Sequence, residues 1–128
     1  MPATSNYVLS KGRRAAAAVT KKRFVKLTGT NDAVTPCTVA GEAAYGVALF
    51  SVSAAEIVKN KEVSVQVEGR AVVEASAALA VGVPITTDTS GRAAAAATGN
   101  WVLGIVDEPA AGVGNECSVL LTPGGGKF

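Results

Sequence analysis

The sequence predicts an all-β protein: a small β-barrel or sandwich with one or two short helices and an extended basic N-terminal arm. Three observations carry that prediction. Residues 62–68 place Val63, Val65 and Val67 between Glu62, Ser64, Gln66 and Glu68, the period-two alternation of a strand with one wet face. Short apolar segments recur about every 8–14 residues between clusters of turn formers, giving about seven or eight strands. Finally, 24 Ala, 19 Val and 14 Gly in 128 residues leave a chain of 12.7 kDa, enough for one hydrophobic core.

Taken in order, residues 1–20 read as an extended arm and residues 21–128 as the β-rich domain. In the arm, Tyr7, Val8 and Leu9 form a short apolar anchor. Ala15–Ala18 is too short to hold a helix by itself. Residues 23–27 form the first strand candidate, stopped by the loop formers of 28–32. Residues 35–40 contain Pro36, which removes a ladder donor and argues for an edge. Residues 45–52 are an apolar run. Ser53 and Glu56 stand at the spacing of a capping box, so a short helix starts there.

The strand at 62–74 contains Gly69, which permits a bend. Residues 76–80 can make one helical turn. Residues 84–87 and 92–97 flank Asp88-Thr89-Ser90-Gly91, a hairpin turn sequence. Propensity alone would make Ala93–Ala97 a helix, but five residues between a turn and Gly99 are too few to nucleate one. Residues 101–106 read as a central strand apolar on both faces, and 116–122 as the last strand. The expected core includes Val63, Val65, Val67, Trp101, Leu103, Ile105, Val119 and Leu121.

Charge is unevenly distributed along the chain. Seven of the 12 basic residues precede Asp32, so residues 1–31 carry +7 and the remainder −5. A basic arm on an acidic body suits an electronegative partner. The arm is not a secretory signal, because its apolar run spans only Ala15–Val19, and no stretch approaches a membrane span. Synthesis in, and retention by, the cytoplasm of the cell that makes it, with no membrane partner, is the expectation.

Catalytic chemistry finds little footing. There is no histidine, so most hydrolase triads and imidazole metal sites are excluded. Cys37 and Cys117 lie 80 positions apart without metal-ligand spacing. Two readings of them stay open: buried free thiols, or a disulfide formed late, outside the cell. Gly124-Gly125-Gly126-Lys127 lacks the hydroxyl residue and helix of a phosphate loop. The expectation is no enzyme, no cofactor, no metal and no small-molecule substrate. The arm has only Tyr7 and Phe24 nearby for base stacking, which disfavours nucleic acid.

From Arg23 onward the sequence resembles the capsid decoration, or cement, proteins of tailed bacteriophages. The likeness is carried by Ala40-Gly41-Glu42 leading to Tyr45-Gly46-Val47-Ala48, then by Val65-Gln66-Val67-Glu68-Gly69-Arg70-Ala71. Gly82-Val83-Pro84-Ile85-Thr86-Thr87-Asp88, Gly91-Arg92, Val102-Leu103-Gly104-Ile105-Val106, Ala111-Gly112 and Val119-Leu120-Leu121 continue it in order. The resemblance implies a structural virion protein on the outer surface of an icosahedral head, stabilising it. The implied partners are the major capsid protein and neighbouring copies, with a trimer favoured. On that reading the capsid-binding residues are Tyr7, Val8, Leu9, Lys11, Arg13, Arg14, Lys21, Lys22 and Arg23. The alternatives are a basic-armed DNA-binding or packaging accessory protein, and an arm that is merely a solvated tail.

Overall fold

The computed structural model describes residues 6–28, 33–57, 62–122, 126 and 128, with side chains from residue 12 onward. Among these lie nine strands and one helical turn. The strands are β1 (Asn6–Ala15), β2 (Phe24–Leu27), β3 (Ala33–Pro36), β4 (Gly46–Ala48), β5 (Glu62–Glu74), β6 (Pro84–Thr87), β7 (Ala93–Ala95), β8 (Gly104–Glu108) and β9 (Glu116–Leu121). Helix α1 (Ala54–Ile57) sits between β4 and β5.

The strands form one sheet that folds into two rings. Neighbours run β1-β3-β2-β4-β5-β9-β8-β6-β7, and β1 also pairs with β5, so the first five strands close into a barrel. Closure removes sheet edges that would otherwise stay unpaired. Beyond β5 the sheet continues through β9, β8, β6 and β7. A parallel bridge between Ala75 and Ala93, with the Ser76 amide donating to the Ala93 carbonyl at 2.8 Å, returns β7 to the end of β5. The second half is thus a ring as well.

Strand β5 belongs to both rings. Its residues 62–70 pair with β1, and Arg70–Glu74 pair with β9. Gly69, at φ +94°, makes the bend between the two stretches, a conformation L side chains rarely adopt.

Each ring has its own core. The first is lined by Ala15, Val19, Val25, Val34, Ala48, Val52, Val63, Val65 and Val67, all alanine or valine. A five-stranded barrel is narrow, and only small side chains fit within it. The second core holds the larger residues, Phe24, Leu79, Ile85, Leu103 and Leu121, with both cysteines among them. Where the rings meet, Phe24 and Val47 face the second core while their neighbours Val25 and Ala48 face the first. This wall is buried on both sides, so its sequence does not alternate.

The structure revises several sequence expectations. Residues 6–15 are extended as expected, yet they are a stave of the barrel rather than an arm outside it, so the barrel uses residues on both sides of position 20. The central strand expected at 101–106 shifts to Gly104–Glu108 and alternates in burial, leaving Ile105 exposed and Trp101 half-buried beside the core. Pro36 ends β3, past the two residues that pair with β1, so its missing donor is cost-free there. The alanine run is β7, because the turn before it and β6 beside it outweigh alanine's helix preference. The capping box at α1 is present: the Ser53 amide donates to Glu56 Oε1 at 3.0 Å, and the Glu56 amide to Ser53 Oγ at 3.3 Å. Residues 76–80 are not helical.

Gly46 occupies the tightest point of the shared wall. A Cβ there would lie 2.3 Å from the Gln66 carbonyl oxygen and 2.8 Å from Val65 Cγ1. Gly46→Ala is therefore expected to destabilise the protein by about 3 kcal/mol or more, as overpacking against backbone cannot relax by a side-chain rotation. Gly12→Ala, whose nearest neighbour would be a Glu62 oxygen at 3.9 Å, should change stability by less than about 1 kcal/mol. Urea midpoints of the two variants check this.

Candidate functional site

The basic residues of the N-terminal third are separated from the acidic ones in sequence but not in space. Lys22 Nζ pairs with Glu116 at the start of β9. Arg23 Nη2 lies 3.2 Å from Glu74 at the end of β5, and Arg92 Nη1 lies 3.8 Å from the same carboxylate. Lys26 Nζ is 2.7 Å from Glu42. Half-exposed pairs of this kind contribute at most about 1 kcal/mol each. They do, however, neutralise the cations from within the chain. Lys22 is held further by its backbone, which takes φ +64°, donates to Ala48 and accepts from Glu74.

Arg13 is likewise engaged internally. Its guanidinium stacks 5.0 Å from the centre of the Tyr45 ring, and Nη2 donates to the Tyr45 hydroxyl at 3.2 Å. The contact fastens β1 to the segment entering β4. Arg14 and Lys21 remain exposed. The side chains of Tyr7, Val8, Leu9 and Lys11 lie outside the described residues, although the backbone of each is in β1.

Two hollows accompany these residues. A cleft of about 70 Å³ at the ring junction is lined by Phe24, Tyr45, Val67, Trp101, Leu103 and Leu121. It holds a couple of waters' worth of space, far below the roughly 300 Å³ of a small-molecule pocket. The second is a shallow open depression of about 420 Å³ formed by Lys21, Phe50, Ser51, Val52, Glu62 and Ser64. The Lys21 amide donates to Ser51 Oγ at 3.0 Å, and the Val19–Val52 bridge fixes the depression to the barrel wall. Phe50 is 62% exposed beside Lys21. The depression thus sets an exposed aromatic next to a cation on the barrel wall. Sequence reasoning singled out Lys21 but missed Phe50, since a single aromatic in an apolar run reads as core.

Glu42 organises the loop between β3 and β4. Its Oε2 accepts the Thr38 and Val39 amides at 2.9 and 2.8 Å, while Oε1 meets Lys26. Burial pushes its carboxyl up, but the hydrogen bond from Lys26 and the two amides outweigh that and hold it below the usual range. The same hydrogen bond holds the Lys26 ammonium above its ordinary pKa.

Both cysteines are buried free thiols of the second core. Burial pushes Cys37 up to about 12, with the Glu42 charge adding to it, and burial pushes Cys117 up to about 11. Such thiols are poor nucleophiles at neutral pH. Among the described residues no group of three or more His, Cys, Asp or Glu could hold a metal ion, and no helix is long and apolar enough to cross a membrane.

Two fused β-rings of small residues thus carry exposed aromatic and cationic side chains on an outer wall. A model of the phage cement protein family matches residues 13–121. The chain belongs to that family, and so is a structural protein of the phage head. Its fold is also similar to the N base of head fiber gp8.5 of bacteriophage phi29, solved by crystallography. The TM-score is 0.69 and the identity 20%, covering 89% of this chain and 93% of that one. No curated protein sequence matches the chain.

Two outcomes follow from these environments. Because the Glu42 carboxyl is depressed in the folded state, its contribution is complete above the unfolded value near 4.5 and is lost as pH falls through the lower folded value. Glu42→Gln should lose about 1–2 kcal/mol at pH 7 and show a weaker loss of stability than the parent on acidification, read from urea titrations at pH 3–7. Separately, Cys37 and Cys117 should resist a thiol reagent in the native protein at pH 8 and react fully once it is unfolded in denaturant; rapid native labelling would contradict the burial described.

Proposed function

We propose that this chain binds the outer surface of an icosahedral phage head and stabilises it, docking through the barrel wall around Lys21 and Phe50 with Arg14 nearby in sequence to the closing end of β1. Membership of the phage cement protein family is the observation that carries this reading. The exposed Phe50 supports it locally, because aromatic side chains are enriched in protein interfaces, and Lys21 beside it adds a charge that would steer an electronegative partner. Binding only to the assembled shell would stabilise that shell by mass action.

The basic residues first assigned to docking divide on this reading. Arg13, Lys22 and Arg23 are engaged within the chain, and Arg14 and Lys21 are exposed. The DNA-binding alternative draws less support than the sequence offered it, since Lys22, Arg23 and Lys26 are matched by Glu116, Glu74 and Glu42 of the same chain. Docking through Tyr7, Val8, Leu9 and Lys11, whose backbone lies in β1, belongs to the same proposal.

Removing residues 2–20 would take away a barrel strand, so point variants are the sharper test. Purified protein mixed with DNA-free heads lacking it should co-sediment saturably and raise their disruption temperature. The double variant Lys21→Glu, Phe50→Ser should bind at least about tenfold more weakly, equivalent to 1.4 kcal/mol. Failure of the parent protein to bind shells, with retention on DNA, would overturn the reading.

A further inference from the structure

Strand β1 is paired along nearly its whole length on one side and only at its end on the other. Its first side meets β5 from Asn6 to Arg14, with a register shift around Leu9. On its other side, only Arg14 and Ala15 pair with β3. Among the described residues no strand lies there beside positions 6–13. Register fixes which backbone groups face that open edge. The Ser64 carbonyl accepts the Leu49 amide at 2.9 Å, so Ser64 turns its backbone groups toward β4. Gly12 stands opposite Ser64. Such an antiparallel pair exchanges no hydrogen bonds, so Gly12 directs its N–H and C=O to the far edge. The Ala16 amide faces the same way, donating to the Val34 carbonyl at 2.8 Å. Alternation puts the backbone groups of Ser10 on that edge as well. Gly12 is exposed, and a Cβ there would meet only a Glu62 oxygen, at 3.9 Å. A glycine in a strand leaves room for a second backbone to approach closely.

We infer that this open edge accepts an extended acidic peptide segment as an added strand. A row of unpaired N–H and C=O groups is a template for another chain, and main-chain hydrogen bonds supply the contact. Charge selects the class of segment. Strand β1 contributes Lys11, Arg13 and Arg14 and no carboxylate. The stretch of β5 paired with it adds Glu62, Glu68 and Arg70, so three cations and one net anion leave the pair of strands at +2. Arg13 is engaged with Tyr45, and Arg14 is exposed. Carboxylates on an incoming strand complement this field, and a basic strand is repelled by it. Positions 6–12 precede the stretch matched to the family, so this edge is not a feature carried over from it. On the docking proposal above, the segment belongs to the phage head. The inference rests on that reading for the source of the segment, and adds backbone pairing to the contact at Lys21 and Phe50.

Amide hydrogen exchange reads the edge directly. In the free protein Ser10 and Gly12 should exchange at close to unprotected rates, while Lys11 and Arg13, bonded to β5, exchange more slowly. Protein bound to DNA-free heads, labelled, quenched and eluted for NMR, should show exchange at Ser10 and Gly12 slowed at least about tenfold. The same two amides should be slowed by a synthetic strand peptide of alternating Glu and Val, about eight residues long, and not by its Lys-Val counterpart. Gly12→Pro removes an outward donor but no bond to β5, and should abolish the slowing at Ser10; Gly12→Ala should keep it. Heads that bind the protein yet leave both amides fast would overturn the inference and leave docking through Lys21 and Phe50 standing. Slowing by the Glu-Val peptide without any binding to heads would refute the docking proposal and leave the strand-accepting edge in place. Equal slowing by the two peptides would overturn the acidic selection, and no response to heads or peptides would overturn both readings.

Discussion

The wall shared by the two rings is the constraint on which the rest of this structure depends. Strand β5 runs through it, and at Gly69 the strand must bend so that one half serves each ring. A bend opens the ladder and leaves carbonyls facing inward. Gln66 resolves this: its side-chain amide donates to the carbonyls of Glu68 at 3.1 Å and Arg70 at 2.9 Å, on either side of the glycine. Leaving such buried acceptors unmatched would cost about 1–3 kcal/mol each. Gln66 points away from the first core, yet is fully buried because the second ring covers that side. One polar side chain therefore sits where both rings need it.

The composition follows from this architecture. A five-stranded barrel is narrow, and among the described residues the buried side chains of the first core are all valine or alanine, with Tyr45 and Ile57 packed against them. Larger apolar side chains are displaced to the second core or to the surface. Phe24, Ile85 and Leu103 took the first course. Phe50, Ile105 and Leu120 are among those that took the second. Small cores hold modest stability, and a protein that functions when bound can draw the remainder from its partner.

Electrostatics play a local role in the fold. The cations of residues 22–26 bind the carboxylates of the loop before β4, the end of β5 and the start of β9, tying the chain's beginning to both rings. The Arg13 stack on Tyr45 does the same for β1. What began as an imbalance along the sequence is thus largely a set of internal clasps, and Arg14 and Lys21 are left exposed.

The sequence by itself determined the all-β class, the long alternating strand at 62–74, the hairpin around Asp88–Gly91, the capping box at Ser53 and the family resemblance. Each rests on neighbours a few residues apart, where alternation, turn chemistry and side-chain capping act. Only the tertiary structure decided that residues 6–15 close a barrel, that Lys22 and Arg23 face carboxylates 94 and 51 positions away, and that Ile105 points outward beside Leu120. Those outcomes depend on which strands meet. Strand pairing joins positions by register across the whole chain, and a charge or an isoleucine carries no local mark of the partner that register will bring to it.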